Sequence, residues 1–223
     1  MKLTIRMAES GMIRGVCKGI MEVGLFTVVK KVEDDGKVVL RLVLDQRVPN
    51  EYWDTPPWSP LSGPGALSSI DLSEEGGTDQ WDALMMTGDV PDCFYRWGIP
   101  EAMSEYFVIP GVTFAALIKE LLRLGKDELA SKLLKEQGSR KFVKVGLSVI
   151  AMGWSWAVFL AQEGLMSVVS RAGERIQQEF QLTDNPLAVN HSMVEGGPPP
   201  TVVPGEPLHF EYIDDFGLLC FSR

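Results

Sequence analysis

Two runs of β-forming residues open the reading: 25–32 (LFTVVKKV) and 37–45 (KVVLRLVLD), separated by Glu33-Asp34-Asp35-Gly36. An Asp-Gly step between such runs predicts a hairpin. Further on, 83–90 predicts a short strand ending at Asp89, and Tyr106 to Ile109 another, stopped by Pro110-Gly111. In 112–124 (VTFAALIKELLRL) the helical period puts Leu117, Leu121 and Leu124 on one face. A second helix starts at Asp127, where Leu129/Leu133 and Ala130/Leu134 repeat at i,i+4 and the other face carries Lys132, Lys135 and Glu136. Residues 141–150 predict a strand whose facing the pattern leaves open. Residues 155–180 predict a long helix, apolar nearly all round at first and amphipathic later. The chain closes on LHFEY and FGLLCF around Ile213-Asp214-Asp215, a second hairpin pattern. Residues 49–65 and 182–207 are proline-rich and 73–82 is polar, so all three read as irregular connections. Strands and helices intermix without a strict βαβ rhythm, which points to an α+β fold.

Composition adds bounds. A chain of 223 residues fits one large domain or two small ones, and 45% hydrophobic with 23% charged residues is ordinary for a packed core. Cys17, Cys93 and Cys220 stand far apart with no CxxC pair. That spacing is neither a disulfide framework nor a zinc site, and it suits an intracellular compartment. The N-terminus, MKLTIRMAES, lacks the apolar run of a signal peptide. Val145 to Ala161 is uncharged and mostly apolar, but its glycines and serines and its β-rich first half read as a buried strand followed by a core helix, so no membrane span is expected. The net charge of −9 argues against a free-standing nucleic-acid binder, so any such function needs local positive patches.

Three carboxylates fall at the ends of predicted strands: Asp89, Asp214 and Asp215. Adjacent aspartates on a turn repel each other and favour a compensating cation. Hard oxygen donors suit Mg²⁺, and a third carboxylate would allow two ions to clamp an in-line phosphoryl displacement. The plainer reading of an Asp-Asp pair alone is a solvated acidic turn.

The surrounding residues add a resemblance over about residues 24–221. Tyr212-Ile213-Asp214-Asp215 resembles the Tyr-x-Asp-Asp hairpin of reverse transcriptases, and Asp89-Val90-Pro91-Asp92-Cys93-Phe94-Tyr95 resembles their first palm motif. Arg41-Leu42-Val43-Leu44-Asp45-Gln46-Arg47-Val48-Pro49-Asn50 resembles a fingers strand, and Leu25 to Lys31 the strand before it. The wording GLFTVVKK, PPWSPL and MGWSWAVF looks most like retroelement enzymes of dinoflagellate-type protists. The resemblance implies an RNA-directed DNA polymerase with a fingers-like region over 1–88 and a palm-like region over 89–223. The latter would be an antiparallel sheet packed against helices, with a helical segment at 112–137 and the proline-rich loop at 182–207. It implies that Asp89, Asp214 and Asp215 hold two Mg²⁺ ions, or Mn²⁺ in their place, for nucleotidyl transfer to a primer 3′-hydroxyl. Lys30 and Arg41 would grip the triphosphate, backbone groups of Val90 and Pro91 would help hold metal and phosphates, and Phe94 would block a 2′-hydroxyl. Gly153 would let the backbone approach the nucleotide. The implied partners are an RNA or DNA template-primer and a deoxynucleoside triphosphate, with no membrane.

Met152 departs from this pattern, standing where the family usually has a glutamine that touches the nucleotide. The family's primer grip, thumb and ribonuclease H have no counterpart in these residues, so the chain by itself is expected not to extend primers processively. The alternative is a non-catalytic retroelement remnant or a repurposed binding domain. Gly153-Trp154-Ser155-Trp156-Ala157 resembles a nucleophile elbow without its last glycine, and only His191 and His209 are available to serve Ser155.

Overall fold

The alternating β-formers on either side of Gly36 close a hairpin in the structure, a computed structural model that describes residues 1–70, 82–198 and 200–222. In chain order the first half runs α1 (Lys2–Glu9), β1 (Ile13–Val16), β2 (Gly24–Val32), β3 (Val38–Asp45), α2 (Arg47–Asn50), α3 (Pro64–Ser68), β4 (Asp82–Asp89) and α4 (Cys93–Arg96). The second half runs β5 (Val108–Thr113), α5 (Phe114–Arg123), α6 (Asp127–Gln137), β6 (Lys144–Leu147), α7 (Ala157–Phe180), β7 (Pro207–Tyr212) and β8 (Asp215–Ser222). This is an α+β fold with three small antiparallel sheets. The loop expected at 73–82 lies almost wholly outside the described residues, and its last residue, Asp82, begins β4.

The chain divides into two units, each built from two segments: Met1–Thr55 with Phe94–Ala157, and Pro56–Cys93 with Val158–Arg223. A linear division at residue 88/89 therefore does not follow the units, because β4 lies before that point and its partner β8 far after it. Pairing between strands distant in sequence, rather than chain order, decides what packs together.

In the first unit β6 is central, flanked by β1 (Ile13 opposite Leu147) and β5 (Val108 opposite Gly146). Val145, Gly146 and Leu147 of β6 are all buried, so this central strand is covered on both faces. β5 runs through Pro110-Gly111 instead of stopping there, with a shift in register between Val108 and Thr113. An edge strand with a bulge tolerates proline, since no neighbour requires its missing N–H. Helix α5 starts where the Thr113 hydroxyl accepts the Ala116 N–H at 3.2 Å, and it buries Phe114, Leu117, Ile118 and Leu121. Helix α6 carries Asp127 and Glu128 in its first turn, where the macrodipole favours negative charge, and it buries Ala130 and Leu133. Residues 1–24, to which the periodicity assigned no element, supply α1 and β1, with Ile5, Met7 and Ala8 buried. The β2–β3 hairpin is exposed over most of its length.

In the second unit β8 is central between β4 and β7. One face of this sheet packs Leu208, Leu219 and Phe221 against Ala66 and Met193. The other packs Phe216 and Leu218 against Leu165 and Val169 of α7 and against Leu187. No helix among the described residues is long and apolar enough to cross a membrane.

Gly146 shows how tightly the first unit closes. A Cβ there would lie 2.3 Å from the Ser104 carbonyl oxygen, a backbone atom that cannot swing away. Gly146→Ala should lower the urea midpoint by an amount equivalent to about 1–3 kcal/mol, the range for overpacking a core. Gly98→Ala, whose new methyl meets only Ser148 O at 3.8 Å, should shift it little.

Candidate acidic site at the β7–β8 turn

Tyr212 opposite Asp215 is the closing pair of the β7–β8 hairpin, so Ile213 and Asp214 form a two-residue loop. Ile213 has φ of +63°, a region that a β-branched side chain rarely occupies, and the Asp214 N–H donates to Tyr212 O at 2.7 Å across it. Such a conformation persists only where its surroundings over-determine it. Here both peptide groups of Ile213 are held: its N–H donates to Gln162 Oε1 at 2.8 Å, and its carbonyl accepts from Cys93 Sγ at 3.3 Å. Asp214 O accepts the Val90 N–H at 2.7 Å.

Across the sheet, Asp89 at the end of β4 stands directly opposite Asp215 at the start of β8. Directly opposed residues of an antiparallel pair place their side chains on the same face, with Cα atoms about 5 Å apart. Both aspartates are exposed, and Asp214 beside them is partly buried. The structure thus gathers Asp89, Asp214 and Asp215 around one turn in the second unit. Among the described residues, however, no group of three or more His, Cys, Asp or Glu side chains is arranged to hold a metal ion. What the turn offers is a facing pair of hard oxygen donors with a third carboxylate next in the chain. The Val90 N–H, already bonded to Asp214 O, is not available to a phosphate.

Gln162 is the residue that periodicity does not single out. It lies near the start of α7 with no exposed surface, and its Nε2 donates to Pro60 O and Glu211 O, each at 3.0 Å. With its Oε1 on Ile213 N–H, one amide joins α7, the 60–62 segment and the acidic turn. A glutamine in an apolar stretch is the only signal the sequence carries for this role.

The remaining expected site residues fall in the first unit or at its start. Arg41 stands opposite Val28 in the hairpin, Lys30 sits at the register shift just beyond the Val29–Leu40 rung, and both are exposed. Among the described residues neither has an ion-pair partner, whereas Arg47 is taken up by Asp45, with Nη2 to Oδ2 at 2.7 Å. That hydrogen-bonded guanidinium holds the Asp45 carboxyl down at about 2. Phe94, in α4, is partly buried. Gly153 has φ of +94°, and a Cβ there would stand 3.1 Å from Leu44 O at the base of the hairpin. Its carbonyl accepts from Asn50 Nδ2 at 3.0 Å. Glycine is therefore required here by the backbone itself. Met152 beside it is 39% exposed, so this side chain is not spent on the core.

A second buried polar group lies on β7. His209 Nδ1 is 2.7 Å from Glu211 Oε1, and Nε2 is 2.9 Å from Ala188 O. The Ala188 carbonyl can only accept, so Nε2 carries a proton, and the Glu211 carboxyl lies against Nδ1. Burial alone would lower its pKa, but the hydrogen bond and charge of Glu211 outweigh burial and raise it. Ser192 Oγ donates to Glu211 Oε2 at 3.0 Å, which ties the 188–192 loop to the strand. With both nitrogens occupied, His209 has none left to activate a hydroxyl, which weakens the nucleophile-elbow alternative.

No protein-family model matches this chain, and no curated protein matches it.

Gln162→Leu should leave the Ile213 N–H and the Pro60 carbonyl without their partner, while the Glu211 carbonyl keeps the Ser62 N–H. At about 1–3 kcal/mol per unsatisfied group the cost in urea unfolding should be about 2–6 kcal/mol. For His209 the sign follows from its raised pKa. The contribution is complete below the unfolded value of about 6.5 and is lost as pH rises through the folded value. Stability measured against pH should therefore fall above about 6.5 in the wild type, with a flatter profile in His209→Gln.

Proposed function

We propose that the chain supplies the fingers and palm of a reverse-transcriptase-type nucleotidyl transferase, acting on a deoxynucleoside triphosphate and a primer 3′-hydroxyl with magnesium. The observation that carries the reading is the direct opposition of Asp89 and Asp215, next to a strained Tyr-x-Asp-Asp turn whose peptide groups are clamped. Strain held at a polar turn, with no role in the core, is characteristic of sites that do chemistry.

Asp89 and Asp215 would hold the ion, with Asp214 beside them. Magnesium takes one or two carboxylates and fills its other positions with water and phosphate oxygens, so an opposed pair is a sufficient share for the protein. When bound, the ion would stabilise charge on the phosphates and favour ionisation of the attacking hydroxyl. Gln162 would keep the turn in its strained conformation. Lys30 and Arg41, cationic and without carboxylate partners among the described residues, suit a triphosphate. Phe94 would disfavour a 2′-hydroxyl. Lys30, Arg41 and Gly153 belong to the first unit and the three carboxylates to the second.

One observation favours the second reading, a non-catalytic domain of the same ancestry. It is that no set of three metal-binding side chains is assembled among the described residues.

Calorimetric titration of the chain with a deoxynucleoside triphosphate separates the two. Binding should tighten at least tenfold when Mg²⁺ or Mn²⁺ replaces EDTA, and the double variant Asp89→Asn, Asp215→Asn should lose that dependence. Phe94→Ala should narrow the preference for deoxy- over ribonucleotide. Metal-independent binding, equal in wild type and double variant, would remove the polymerase reading and leave the binding domain.

A further inference from the structure

The net charge of −9 is unevenly distributed. The first unit holds 18 Lys and Arg against 14 Asp and Glu, a net charge of +4, while the second holds 3 against 16, a net charge of −13. Within the basic unit a cavity of about 480 Å³ opens among α6, β1 and the segment from Arg96 to Glu101. Its charged lining is Arg14, Arg96, Lys132 and Arg140 with Glu101 and Glu136, four cations against two carboxylates.

The cations come from separate elements: Arg14 from β1, Arg96 from α4, Lys132 from α6, and Arg140 from the turn after it. Arg140 is held before any ligand arrives. Its guanidinium lies 4.9 Å from the centre of the Phe142 ring, and its Nε and Nη2 donate to the carbonyls of Gln137 and Glu136. Its Nη1 donates to Glu101, so three of the five N–H groups that a guanidinium carries are committed and two remain. Glu101 is neutralised by that contact. Among the described residues Arg14 and Lys132 have no ion-pair partner, which leaves Glu136 as the carboxylate set against them.

We propose that this cavity is a binding site for a small phosphorylated ligand, of the size of a mononucleotide or less. A volume of this order is that of ordinary small-molecule sites. Cations converging from four elements match a phosphate dianion, whose oxygens accept from several directions at once, and fork-shaped guanidinium groups suit it best. A pre-positioned Arg140 lowers the ordering cost of binding. The concave shape selects a compact ligand over a polymer backbone. The site lies within the first unit and does not depend on the polymerase reading.

The test is titration of the whole chain, in EDTA, with inorganic phosphate, pyrophosphate and adenosine monophosphate, followed by calorimetry and thermal shift. At least one should bind saturably at one per chain, and more weakly as salt is raised. Arg14→Gln with Lys132→Gln should weaken binding at least tenfold. Lys132→Glu alone, a change on an exposed helix position, should weaken it without moving the urea midpoint. Asp89→Asn with Asp215→Asn should bind as the wild type does. The proposal fails if none of the three anions binds saturably, if the cation variants bind equally, or if the aspartate variant is the one that loses binding. Displacement of adenosine monophosphate by an oligonucleotide lacking terminal phosphates would overturn the small-ligand assignment in favour of a nucleic-acid strand.

Discussion

The antiparallel pairing of β4 with β8 is the contact on which the acidic site depends, because eight rungs, from Asp82 opposite Ser222 to Asp89 opposite Asp215, set which carboxylates face each other. A slip of one residue would turn every β4 side chain to the opposite face of the sheet. Burial does little to prevent that slip, since Leu84, Met85 and Met86 are all more than half exposed. Resistance comes from the backbone ladder and from its far end, where the Val90 N–H meets Asp214 O. The central strand β8, with Leu219 and Phe221 buried on one face and Phe216 and Leu218 packed on the other, is held on both sides. Register in this sheet is thus fixed by β8 and passed to β4 through hydrogen bonds. Gln162 does the same for the turn, trading one buried amide for three backbone contacts.

Net charge is a poor guide to what this chain attracts. Electrostatic influence in solution decays over about 10 Å at moderate salt, so a ligand senses the unit it approaches and not the sum over the molecule. A positive unit and a strongly negative one give −9 together, yet a phosphate near Arg14 and Arg140 meets a different field from a cation near Asp89 and Asp215. The acidic excess around the turn is itself favourable to a divalent cation.

Local periodicity made much of the fold legible. The β2–β3 hairpin, the helices α5 to α7, the strand ending at Asp89 and the closing hairpin all carry repeating patterns several residues long. The features missed are those that depend on neighbours distant in sequence. Residues 2–9 are a short helix whose burial is decided by packing, and Pro110 is admitted to a strand because β5 is an edge. The two-segment composition of each unit follows from β4 pairing with β8 and β1 with β6, which no local pattern encodes. At the site, the carboxylates were visible as strand-end aspartates. The clamp on Ile213 and the Ala188 contact of the His209 ring were not, because these hydrogen bonds reach groups 21 to 120 positions away.

The chain passes between its two units three times, after Thr55, after Cys93 and after Ala157. Neither unit can therefore finish folding from one continuous stretch. During synthesis the first must wait for residues up to 157 to emerge, while β4 stays without its partner until β8 arrives near position 222. Closing such long loops is entropically slow, and an apolar strand left with open edges is prone to pair with other chains. Nascent chains are consequently most exposed to misassembly between these two points, and β4 is the segment a chaperone would have most reason to cover.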